Sequence, residues 1–273
     1  MMYYLTYLII YFKRSFENSK DVKNDYFKFL STKFKIKMVI NFFFNATYFL
    51  FYFYTFSPFM TFVTSTAIII FLYFNNHVLL DYYFPRLQHH QKTYIVTNIV
   101  KSFVLFILLL FSIPILQEIY YYNYWNVSSI KNLGSMYASL DFSSFFYNQK
   151  MSKNTIYHHL SVILFFFINL WDSYSPSSVS RLIMLYAIFS SAAFHINLLL
   201  GLRYLIQIPP TIYKICGYLY LISSLMNWTT QLYFLMNQKY DNIILGIYLI
   251  ILKYIITDDI ILLQWLKRKS ICP

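Results

Sequence analysis

Charge, glycine and cysteine are all scarce in this chain, and each shortage removes a class of answers. Only 12% of the 273 residues are Asp, Glu, Lys or Arg, about half of what a soluble domain carries. A water-facing surface around the whole fold is therefore excluded. Four glycines and seven prolines are too few for a low-complexity or collagen-like chain. The two cysteines, Cys216 inside an apolar run and Cys272 beside the end, support no disulfide framework, CxxC metal site or dithiol redox pair. Cys272 is also out of place for a prenylation signal. There is no P-loop or GxSxG elbow, no set of clustered histidine boxes of the kind a di-iron site needs, and no internal repeat like those of transporters.

Acidic residues are the scarcest charge: ten Asp and Glu stand against 22 Lys and Arg, a net of +12. In a soluble protein that excess would point to nucleic acid. In an apolar chain it reads as basic cytoplasmic loops facing anionic lipid, so membrane lipids are the expected partners and nucleic acid is not. What the chain has in abundance is hydrophobic residues, at 59%, with 29 Phe and 29 Tyr. The apolar runs are continuous rather than alternating, which favours helices over a membrane β-barrel.

The expected fold is all-α: a polytopic transmembrane bundle of about eight spans, near 38–56, 59–79, 94–116, 133–149, 156–171, 179–204, 211–236 and 242–265. Residues 1–37 read as a basic cytoplasmic segment, since Met1–Phe12 is too short to cross. Pro58 marks a break between the first two spans, because proline fits the first turn of a helix. Whether 38–79 crosses once or twice stays open. With eight spans, seventeen Lys and Arg fall near one side and three near the other, which places both termini in the cytoplasm. Asn126-Val127-Ser128 is a glycosylation sequon on the expected lumenal side, making Asn126 the candidate acceptor. Aromatic anchors agree, with Tyr120–Trp125 and Trp171 at lumenal edges and Trp265 at the cytoplasmic edge.

The chemistry-bearing stretch is 133–171. It holds Asp141 in one apolar run and His158 and His159 at the head of the next. Exposing such groups to lipid costs roughly several kcal/mol, so they face a bundle interior or a wet cavity. At about 1.5 Å per residue, Asp141 lies roughly 12 Å and Lys101 roughly 10 Å from the cytoplasmic end of their spans. An ion pair between them is expected. His195, Asp258 and Asp259 fall at similar depth. Either this is structural pairing or it is a pocket open to the cytoplasm. Adjacent histidines point about 100° apart on a helix, so one should face the cavity while the other packs against a neighbour. They are poor joint ligands for one atom, and no metal or cofactor is expected.

These residues resemble the TLC domain family, which includes ceramide synthases, translocation-associated membrane proteins and lipid-regulating membrane proteins. Tyr137-x-x-x-Asp141 followed by His158-His159-Leu160 is similar to the family's Tyr/Asp helix and its double-histidine helix. Ser190–Asn197, Arg203-Tyr204-Leu205, Tyr213–Trp228 and Gln264-Trp265-Leu266-Lys267 follow in the expected order. The resemblance covers roughly 85–268, leaving two leading helices at 38–84 and a tail at 269–273. It implies six helices in a TLC-type bundle around a lipid-sized cavity, in the endoplasmic reticulum or a related internal membrane. The acidic signature of a ceramide synthase is absent from Tyr186–Ser191.

The resemblance therefore favours the non-synthase branch: a protein that binds or senses lipid and influences membrane composition, without catalysis. The polar cluster Lys101, Asp141, His195, Asn197, Asp258 and Asp259 would line the lipid pocket or serve structure. The alternative is a sphingoid-base N-acyltransferase that takes acyl-CoA as substrate, with His158 or His159 as base and Asp141 orienting it. A third reading is a helper in protein insertion or sorting. Homo-oligomerisation stays open.

Overall fold

The computed structural model describes residues 56–148, 151, 153–240 and 242–271. The expected basic segment at 1–37 and, but for Phe56, the expected span at 38–56 lie outside them, as does Cys272. The described residues form eight α-helices and no strand: α1 Pro58–Tyr83, α2 His89–Tyr122, α3 Val127–Tyr147, α4 Lys153–Trp171, α5 Ser180–Ser191, α6 Phe194–Leu202, α7 Pro210–Asn237 and α8 Asn242–Ile271. All belong to one unit of the chain. Two of them, α1 and α2, are long and apolar enough to cross a membrane, and the bent pair α5–α6 is so only when its two helices are taken together as one broken span. The others are shorter or carry the polar residues of the interior.

Local chemistry sets the helix ends. Ser57 caps α1, its hydroxyl accepting from Met60 N at 3.5 Å, and Pro58 fills the first turn. Gln91 reaches back to the Gln88 N–H at 3.1 Å to open α2. Asn123 closes α2 in the left-handed region at φ 48°, where asparagine is better tolerated than most residues. Asn126 caps α3, its side-chain oxygen accepting from Ser129 N at 3.3 Å, so the sequon sits on a helix start. Between α4 and α5, Asp172 gathers the turn: its carboxylate accepts from Tyr174 N, from the Ser178 hydroxyl at 2.6 Å and from the Ser180 hydroxyl at 2.9 Å. Burial, with Asp172 beside it, pushes the Tyr174 phenol far above its ordinary pKa. It therefore stays a hydrogen-bond donor to Asn169 at 3.1 Å.

α3 sits at the centre, packed on α1, α2, α4 and α5. Its buried residues include Ser135, Ser139, Ser143 and Ser144. Each hydroxyl donates back to a carbonyl of its own helix at 2.6–2.8 Å. The serines thus need no outside partner and let neighbouring helices come close. Around them pack Ile69, Ile95, Leu105, Leu108, Ile130, Leu133 and Leu182, all essentially inaccessible. Exposed side chains of α1 and α7 are strongly apolar, including Phe71, Phe74, Val78, Ile222, Met226 and Met236. An apolar outer surface around an interior that also holds polar groups departs from the pattern of a water-soluble bundle.

The expected continuous span at 179–204 is broken. α5 and α6 meet at 45° through Ala192 and Ala193, whose N–H groups donate to Phe189 O at 3.1 Å and Ser190 O at 3.0 Å. These three-residue bonds tighten the turn and redirect the chain. Beyond the bend, α6 lies on α2. A Cβ on Gly201 would stand 2.9 Å from Ile99 Cγ1 and 3.3 Å from Ile95 O, so only glycine permits this approach. Gly201→Leu is expected to destabilise the protein by about 1–3 kcal/mol through overpacking, read as a lower unfolding temperature in detergent.

Candidate functional site

Among the described residues Asp141 is the most buried charge, its side chain 1% exposed, and two helices deliver partners to it. From α2, Lys101 Nζ stands 3.0 Å from Oδ1. From α4, His159 Nδ1 lies 2.8 Å from the same oxygen, off the axis of a linear hydrogen bond, and His158 Nε2 lies 3.9 Å from Oδ2. Removing a carboxylate from water costs roughly several kcal/mol, and a nearby cation with hydrogen-bonding groups offsets that cost. The pair forms because Lys101 and Asp141 stand at matching depth on packed helices.

The two histidines divide their surroundings. His159 is buried and packs edge-on against Phe145, ring centroids 5.6 Å apart. His158 is partly open and lines a pocket of about 500 Å³. Both rings still reach Asp141, because its two oxygens face different sides. The donor atoms of Asp141, His158 and His159 lie within 4.8 Å of one another, the one set among the described residues with ligand types and spacing for a metal. The Lys101 ammonium already supplies a positive charge at this carboxylate, which opposes a second cation beside it.

The pocket runs between α2, α5, α6, α7 and α8. At one end of the bundle it is lined by Tyr94, Arg203, Trp265 and Arg268, all near helix termini. Lys101, seven residues beyond Tyr94, is about 10 Å further in. At that inner level the lining includes His158, Tyr137, Tyr186, Asp258 and Asp259. Asp259 accepts from the Tyr186 hydroxyl at 2.8 Å and the Tyr220 hydroxyl at 2.6 Å. Past His158 and Tyr137 a small apolar space of about 50 Å³ continues between Val162, Phe165, Ile183 and Leu252.

The structure thus gathers Lys101, Asp141, His158 and His159 into one contact group, with Asp258, Asp259 and Asn197 on the wall of the same pocket. Asn197 also donates to Ala193 O at 3.3 Å. His195 stands apart. Its ring nitrogens lie 2.8 Å from Ala192 O and 3.3 Å from Cys216 O, tying the bend to α7, and it does not line the pocket. Asn126 is remote, serving as a helix cap.

Sequence reasoning missed Arg203 as a site residue. Its guanidinium carbon lies 5.0–5.2 Å from the ring centroids of Tyr94, Tyr204 and Trp265, and Nη2 donates to the Tyr94 hydroxyl at 3.1 Å. The available signal was a lone arginine flanked by apolar runs. Tyr186 and Tyr220 were missed because phenols are abundant throughout the chain.

Comparison with family models, with curated proteins and with solved structures finds no match for this chain.

Asp141→Asn and Lys101→Met should each lower detergent stability, by about 3–5 kcal/mol where the remaining partner stays buried. The double substitution should recover part of the loss. A double-mutant cycle by thermal unfolding measures this, and strictly additive losses would show the contact to be energetically silent.

Proposed function

We propose that this chain is a multi-pass membrane protein of the TLC type that binds a lipid in the pocket above His158. The observation that carries this reading is the pocket itself. It joins a basic, aromatic-lined mouth to a polar floor inside a bundle whose outer surface is apolar. Its volume of about 500 Å³ is that of a small-molecule site, typically about 300–1,000 Å³. The order of Tyr137, Asp141 and His158-His159 along the chain supports the family reading. The protein then resides in the endoplasmic reticulum or a related internal membrane and influences lipid composition by binding or sensing.

Acyl transfer is the second reading, favoured by one observation. His158 faces the pocket with Asp141 behind it at 3.9 Å, so the two would have to close to hydrogen-bond distance before the carboxylate could orient the ring as a general base. Against it, α5 offers no carboxylate at Tyr186–Ser191, and His195 is engaged by backbone carbonyls away from the pocket. Asp259 is held by two phenols rather than by an imidazole.

Ser223 lines the pocket, and Ser223→Trp should obstruct it. Lipid co-purifying with the protein, quantified by mass spectrometry, should fall by about tenfold, equivalent to about 1.4 kcal/mol. Wild-type protein given acyl-CoA and a sphingoid base should yield no N-acyl product. Product that disappears in His158→Ala would establish the acyltransferase instead.

Eight spans with both termini cytoplasmic is the topology proposed with this function, from the one-sided distribution of Lys and Arg. Terminal tags should both be cleaved by protease added to sealed microsomes. Protection of the N-terminal tag alone would mean seven spans.

A further inference from the structure

Arg203 is a cation held in place without an anion. Three aromatic rings surround its guanidinium, and the Tyr94 hydroxyl takes one of its N–H groups. A guanidinium has five such donors, and among the described residues no carboxylate lies within ion-pair distance of it. Aromatic faces stabilise the charge and fix its plane, yet they accept none of the in-plane N–H groups. Those donors remain for an acceptor in the pocket. Arg268 lies three residues past Trp265 on α8, is exposed, and lines the same pocket. Three residues along a helix keep two side chains on one face.

We propose that Arg203 and Arg268 bind the phosphate ester of a single-chain amphiphile whose remainder occupies the pocket toward His158. This rests on the lipid-binding reading and narrows it to one class of ligand. Phosphate suits the position because a rigid, planar guanidinium meets two phosphate oxygens at once, and a second arginine neutralises the further charge. Asn197, Ser223, Ser224 and Asn227 line the wall deeper in, at and past the level where Tyr220 meets Asp259. Ile196, Leu200, Ile255 and Leu262 supply the apolar part. A volume of about 500 Å³ accommodates one chain more readily than two. The carboxylates Asp258 and Asp259 also line this pocket, about 10 Å from Trp265 along α8, so the phosphate belongs at the mouth rather than at the floor.

Two sources share this chemistry: a lysophosphatidate-type lipid, and an acyl chain carried on a phosphorylated nucleotide as in acyl-CoA. Binding of 1-oleoyl lysophosphatidate, oleoyl-CoA and 1-oleoylglycerol to the full-length detergent-purified protein separates them. Either phosphorylated probe should bind at least about tenfold more tightly than the neutral glyceride, and the tighter of the two identifies the source. Arg268→Gln should remove most of that preference while leaving the glyceride unaffected. Arg203→Gln should do the same, and Arg203→Lys should restore it only in part. Arg86→Gln, an exposed cation of the α1–α2 loop outside the pocket, should change nothing. Should Arg203→Gln fail to fold without its ring contacts, Arg268→Gln carries the test by itself. Equal affinity for phosphate and glyceride, or a preference that survives Arg268→Gln, overturns this proposal and leaves lipid binding intact. If none of the three probes binds, the lipid-binding reading itself fails.

Discussion

One buried negative charge organises the interior. Asp141 cannot stay ionised inside the bundle unless partners come to it, and they arrive from α2 and α4. That requirement constrains three helices at once, because a slip of α2 by one turn would carry Lys101 about 5 Å away. Apolar packing tolerates many such shifts when the outside of a helix faces lipid rather than water. The ion pair does not, and it sets the register of α2 against α3. The same contacts leave His158 partly open toward the pocket, so the structural constraint also places the most chemically versatile side chain.

The rest of the interior works by smaller polar contacts of the same kind. The serines of α3 satisfy themselves. Gln231 of α7 donates to Leu182 O at 3.1 Å and accepts from the Tyr248 hydroxyl, joining α7 to α5 and α8. Asn132 of α3 accepts from Thr61 of α1 at 3.3 Å. Arg181 stacks 4.5 Å from the Trp125 ring and donates to Tyr174 O at 2.9 Å, fastening the turn between α4 and α5 to the start of α3. The bonds of Asn132 and Gln231 tie elements distant in sequence, where apolar contacts alone would leave rotation about the helix axis weakly determined.

Helical character was legible because continuous apolar runs have few other folds open to them, and Pro58 marked the start of α1. The proximity of Lys101 and Asp141 followed from matching depth on helices joined by a loop. The break between α5 and α6 was not legible. Nothing in Ser190-Ser191-Ala192-Ala193 forbids a straight helix, and the bend arises from docking α6 on α2. The position of His195 was hidden for the same reason, since depth alone put it beside the pocket while rotation at the bend turned it toward Cys216 O. The Arg203 cage assembles rings from α2, the α6–α7 connection and α8, a convergence that only tertiary structure brings about.

Gly201 stands two residues before Arg203, and its lack of a side chain lets α6 rest on the backbone of α2 at Ile95. The distance between those helices is also the distance over which Arg203 reaches Tyr94. Mutational drift at 201 would therefore act at a mouth it never touches. A residue with no chemistry of its own thus sets the geometry of the mouth.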